Sequence, residues 1–139
     1  MIAAGLMFVS FRHAENRIVE HVRAGGHRVT LAQARVFARI GTDGTRLTEL
    51  AEAAQVTKQT AGFLVDQLQA EGYVERVPDP SDARARLVRI APRGQEAVAR
   101  AREMEQVVER EWAEHLGPDR MAALHDALSS LREITDPYV

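Results

Sequence analysis

The sequence has no cysteine. That alone excludes disulfides, thiolate nucleophiles, Cys-ligated zinc and thiol redox sensing. Aromatic residues are scarce at 5%, and no apolar run approaches the roughly 18 residues of a membrane span. The apolar start from Met1 to Phe11 is interrupted by Gly5 and Ser10 and leads into Arg12, His13 and Glu15. Without a basic leading region or a small-residue cleavage site it does not read as a signal peptide, so the expected location is cytoplasmic. Bulk positive charge is also missing, because the net charge is −2. If the chain meets nucleic acid, its cations must therefore be concentrated locally. Neither a phosphate-binding loop nor a nucleophile elbow is present. The paired acids Glu103, Glu105 and Glu109, Glu111 lie next to Arg on a solvated helix and are ordinary helix charges, so no enzyme and no cofactor is expected.

The 139 residues are 45% hydrophobic and 27% charged and rich in Ala, Arg, Glu, Val and Leu, which suits a mainly helical single domain. A first helix is expected over residues 2–23, ending at Gly25-Gly26. Thr30 and Gln33 form a capping box for a second helix that stops at Gly41. Thr48 is expected to cap a short third helix reaching Ala54, with Glu49 in its first turn. After Gln55-Val56, Thr57 caps another helix running to Gly72. Two helices with so short a connection have the spacing of a helix-turn-helix. In the second of them Ala61, Leu64, Val65 and Leu68 form one buried stripe. The period then changes to two. Tyr73–Val77 and Arg86–Ile90 read as strands around the turn Pro78–Asp82, a β-hairpin wing. Pro92 opens a long helix to about Leu116. Gly117-Pro118 breaks it before a last helix carrying Met121, Leu124, Leu128 and Leu131. The chain thus divides into a DNA-binding lobe at about 30–92 and long terminal helices at 1–24 and 93–135.

A helix of this kind suits the major groove, where its first turns meet the base edges. Those turns offer Thr57, Lys58, Gln59 and Thr60, and Gly62 allows close backbone approach. Gln can pair with adenine through both amide groups, while hydroxyls and Lys reach bases or phosphates. The wing supplies the local charge. Arg84, Arg86, Arg89 and Arg93 fall within ten residues that contain no acid. Arg84 lies at the loop, free to reach a narrow minor groove, and alternation puts Arg86 and Arg89 on opposite faces. Asp82 is expected to orient Arg84 through a bidentate pair. Asp66 would repel phosphate unless neutralised, and Arg86 is its expected partner, bracing the wing on the recognition helix.

Three segments resemble the MarR family of bacterial regulators: Gln67–Arg76, Asp79-Pro-Ser-Asp-Ala-Arg84 and Leu87–Gly94. The resemblance spans roughly residues 30–134. It implies a winged helix-turn-helix homodimer, triangular in outline, with interleaved terminal helices. It also implies transcription regulation, most often repression, through palindromic double-stranded operators with Arg84 in the minor groove. A small effector would enter a cleft between the dimer helices and the DNA-binding lobe. There are departures: Ala83 stands where the wing often has Arg or Gly, and Ala91 where Thr usually caps the long helix. Phe63 stands where a polar or basic residue is common, either touching a thymine methyl or turned inward to a pocket.

The dimer has independent support. Ile2, Leu6 and Val9, with Val98, Val107, Val108, Trp112, Leu124, Leu128 and Leu131, are more apolar positions than a small winged lobe can cover. His13, His21, His27, His115 and His125 show no metal-ligand spacing. Arg12, His13 and Arg17 are either solvated helix charges or the rim of a site for an anionic aromatic ligand. The rival function is a winged-helix module that binds protein and not DNA; the net negative charge favours it and the Arg-rich wing opposes it.

Overall fold

The 45–55 segment shows how local chemistry sets the architecture. In the computed structural model, which describes residues 1–138, Gln55 takes a left-handed conformation (φ 58°). It ends helix α3 (Leu47–Ala54) and turns the chain into α4 (Lys58–Ala70). Thr57 caps α4 as its sequence demands, its hydroxyl accepting from the Thr60 N–H at 3.1 Å. The capping box of α2 (Leu31–Phe37) forms in full, with Gln33 N–H to Thr30 Oγ1 and Thr30 N–H to Gln33 Oε1. Helix α3 differs from expectation: it starts one residue before Thr48, with Arg46 at its cap and no side-chain cap bond.

Strands β1 (Val74–Asp79) and β2 (Asp82–Ile90) pair antiparallel, with Val74 opposite Ile90 and Pro78 opposite Arg86. They run further toward the tip than their alternation suggested, so the connection is only Pro80-Ser81. Val88 also exchanges both backbone hydrogen bonds with Thr45, at 2.8 and 2.9 Å, which docks the wing beside the start of α3. The lobe's core is Val36, Ile40, Leu50, Leu64, Val65, Leu68, Tyr73, Val74 and Val88. The stripe read from sequence on α4 is the face it buries.

Outside the lobe, α1 (Ala3–Ala24) packs along α5 (Pro92–Leu116), which turns at Gly117 into α6 (Pro118–Thr135). Polar contacts line the α1–α5 seam: Arg17 forms an ion pair with Glu111, and His21 hydrogen-bonds Glu103 at 2.7 Å. Two others tie these helices to the lobe. Glu15 of α1 takes a bidentate pair from Arg35 of α2 at 2.8 and 2.9 Å, which holds the carboxyl below its ordinary range. Asp136, just past α6, accepts from Arg39 at 2.6 Å. The mainly helical winged-helix fold expected from the sequence is the fold observed.

Candidate nucleic-acid interface

On α4 the exposed positions are Lys58, Gln59, Thr60, Phe63, Asp66, Gln69 and Ala70. The helical period places Gln59, Phe63 and Asp66 opposite the buried stripe, with Lys58 and Thr60 on its flanks. Thr57 and Thr60 are engaged with each other, because the Thr57 hydroxyl also donates to Thr60 Oγ1 at 2.9 Å. Lys58 and Gln59 are therefore the polar groups of the first turn with their full donor capacity free. Gly62 is half-buried and lies on the flank, where an added Cβ would meet Leu47 Cδ2 at 3.6 Å, an ordinary contact. Its close approach is to α3.

The four wing arginines separate into two classes. Arg89 stands directly opposite Glu75 in the hairpin register, and its guanidinium pairs with that carboxylate at 2.6 Å. Arg93 is drawn back onto the lobe, 4.7 Å over the Tyr73 ring, and donates to the Glu71 carbonyl at 2.6 Å. Arg84 and Arg86 are the two left facing solvent. The Arg84 side chain is 94% exposed.

Two expected braces are replaced by others. Asp66 pairs with Arg76 of β1 at 2.7 Å, not with Arg86. Arg76 follows α4 closely in the chain and donates to Gln69 as well; it reaches the helix before the far strand can. Arg86 is thereby left free. Asp82 does not hold the Arg84 guanidinium in a bidentate pair, since Nε is 3.7 Å from its nearest oxygen. Its carboxylate instead accepts the Arg84 backbone N–H at 3.0 Å, a local turn that shapes the loop.

The carboxylate that does anchor the wing is Asp79, which sequence reasoning passed over as a turn residue. It is buried and accepts from the Ser81 hydroxyl and backbone N–H at 2.7 and 2.8 Å. It also accepts from Arg46 at 2.7 Å. These donors, Ser81 first, hold its pKa at about 2. The motif's first aspartate thus fastens the wing tip to the cap of α3. A signal was available: an Asp two residues before Ser in a tight turn is placed to form an Asx turn.

Together these elements frame an open hollow of about 330 Å³ lined by Arg46, Lys58, Arg76 and Arg86 with Thr48. Arg46 and Arg76 are occupied by Asp79 and Asp66. Among the described residues, Lys58 and Arg86 have no carboxylate partner. Four cations, two of them without a carboxylate partner, thus stand together between the recognition helix and the wing.

A second cavity, about 510 Å³, lies between α1, α2, α5 and the base of the wing, with walls including Val19, Phe37, Leu68 and Val98 and with Arg89 and Arg102 at its edge. None of Arg12, His13 or Arg17 lines it. Arg12 lies 5.9 Å over the Phe8 ring and Arg17 is paired with Glu111. No cluster of metal-ligating side chains occurs among the described residues, and no helix among them is long and apolar enough to cross a membrane.

A helix-turn-helix, a two-stranded wing and long flanking helices define a winged-helix fold. Residues 29–85 match the model of the MarR family. The resemblance read from the wing motif therefore holds, over the winged lobe in sequence and over nearly the whole chain in fold. The transcriptional regulator Tm0710 from Thermotoga maritima is 28% identical, with 93% of this chain and 89% of that one covered at a TM-score of 0.64. A crystal structure of MarR is 24% identical over 97% and 98% of the two chains, with a TM-score of 0.77. A MarR variant from E. coli, complexed with operator DNA, is 23% identical over 92% and 91%, at 0.70. No curated protein sequence matches the chain.

Proposed function

We propose that this chain is a sequence-specific, double-stranded-DNA-binding transcriptional regulator, working in the cytoplasm as a homodimeric, ligand-responsive repressor. One observation carries the reading. The exposed first turn of α4, with Lys58 and Gln59 free, stands beside a wing whose Arg86 has no carboxylate partner among the described residues and whose Arg84, 94% exposed, has only Asp82 at 3.7 Å. Thr57, Lys58, Gln59 and Thr60 would meet the major groove, and Arg84 the minor groove. Arg86 would meet the phosphates between. That a MarR relative has been seen on operator DNA supports the assignment.

Selection of random DNA by the purified protein tests it. The expected product is a palindrome with half-sites about 34 Å apart, one helical turn. Recovery of unrelated fragments would contradict the reading and favour the protein-binding alternative. The effector part of the proposal rests on the 510 Å³ cavity, whose apolar walls fit a small aromatic ring. Its lining includes Arg102 for an anionic group, although Arg89 is already paired with Glu75 and Glu105 shares the lining. Aromatic carboxylates are expected to raise the melting temperature and release the selected DNA. If none does both, ligand control through that cavity is wrong.

A further inference from the structure

Phe63 is 63% exposed in the middle of α4. The neighbouring large apolar side chains of this helix, Leu64, Val65 and Leu68, are buried. Its position follows from the helical period: Gln59, Phe63 and Asp66, at i, i+4 and i+7, lie directly opposite the stripe that enters the core. The ring therefore does not turn inward to a pocket. Nor does it belong to the apolar surfaces of the terminal helices, because α4 lies in the lobe. It stands beyond Gln59 on the outermost line of the recognition helix, whose first turn carries the free cation Lys58; that lysine shares its hollow with the wing's free Arg86. Asp66, the next residue on that line, is neutralised by Arg76.

An apolar ring on a cationic surface fits an occupant that is polyanionic overall and apolar at one point. Duplex DNA has that chemistry in its major groove, where thymine alone presents a methyl group. Resting on the proposed function, we propose that Phe63 is a specificity-determining residue that reads the C5-methyl group of one thymine in each half-site. Gln59 lies one turn earlier, about 6 Å along the axis. At about 3.4 Å per base step, the adenine suited to Gln59 falls within roughly two base pairs of that thymine. The Ala83 and Ala91 departures lie elsewhere; this one alters what the helix reads.

Removing single methyl groups from the DNA tests the inference without altering the protein. Each thymine of the selected operator is replaced in turn by deoxyuridine, which keeps every hydrogen-bonding group, and binding is measured for the parent and for Phe63→Ala. Phe63 is exposed, and the variant is expected to match the parent in its circular dichroism and melting temperature. At one position per half-site, uracil is expected to weaken the parent about fourfold, the value of one buried methyl group. The same change is expected to leave Phe63→Ala unaffected. The inference is overturned if no position shows a methyl effect that depends on Phe63, or if Phe63→Ala binds the thymine operator as tightly as the parent does. Those outcomes leave the regulator reading standing when an operator has been selected; failure to select one overturns both.

Discussion

Asp79 shows how much a single side chain contributes to the wing. Its carboxyl is held at about 2, against an ordinary 3.8, by Ser81 and then by Arg46. A carboxyl whose folded pKa is depressed stabilises the fold above its unfolded value, and that contribution is lost as the pH falls through the folded one. The window for Asp79 is therefore from about pH 4 down to about pH 2. Replacing it with Asn removes the contribution at every pH. At about pH 5 the Asp79→Asn variant is expected to unfold at lower urea than the parent, and the gap is expected to close as the pH approaches about 2. Glu15, Glu103, Glu111 and Asp136 are also held low, so both proteins lose stability in acid and the gap between them is the quantity to read. A gap independent of pH would show that Asp79 acts through shape alone.

Among the elements, the junction between wing and long helix is the least tolerant of change. Gly94, in the first turn of α5, lies so close to β1 that an added Cβ would sit 2.2 Å from the Tyr73 carbonyl oxygen and 2.8 Å from Ile90 Cγ2. That carbonyl already accepts the Ala91 N–H at 3.0 Å, so it cannot move aside cheaply. Gly94→Ala is expected to cost about 3 kcal/mol in urea unfolding, the upper end for an overpacked site. A cost under about 1 kcal/mol would mean that the junction is soft.

The order of elements was legible in the sequence because strong local signals marked it. The Thr30–Gln33 box, the Thr57 cap and the shift of period at Tyr73 each act over a few residues. The partners of charged groups were not legible. Four arginines in a run without acids looked free, yet Glu75 faces Arg89 across the hairpin and the Tyr73 ring takes Arg93. Asp66 was assigned to Arg86, and the structure gives it Arg76. Such choices depend on register and reach, which one-dimensional spacing does not carry. The list of apolar positions on the terminal helices had a similar fault. Val108, on that list, is covered within the chain, whereas Phe8 and Phe11, absent from it, are exposed.

For the whole molecule, the unpartnered apolar surface sits at the two ends of the chain. Ile2, just before α1, and Leu6, Phe8, Val9 and Phe11 on it, with Leu128, Leu131 and Ile134 on α6, are exposed large side chains. Exposed apolar surface of this extent marks an interaction site, and a second copy of the chain would cover it by two-fold exchange. Sedimentation is expected to show a dimer for the parent and a monomer for the Leu6→Glu, Phe8→Glu double variant, with the variant's operator affinity much reduced. A parent that stays monomeric at micromolar concentration would remove the dimer from the proposal.

The salt dependence of operator binding tests most directly whether the local cations drive the association. Log affinity should fall linearly with log salt, by about 0.9 for each phosphate neutralised. The parent is expected to give a steep slope, and the Lys58→Ala, Arg84→Ala, Arg86→Ala triple variant a slope shallower by several units with its melting temperature kept. A flat dependence in the parent, or the same slope in both proteins, would contradict the claim that this face of the molecule holds DNA.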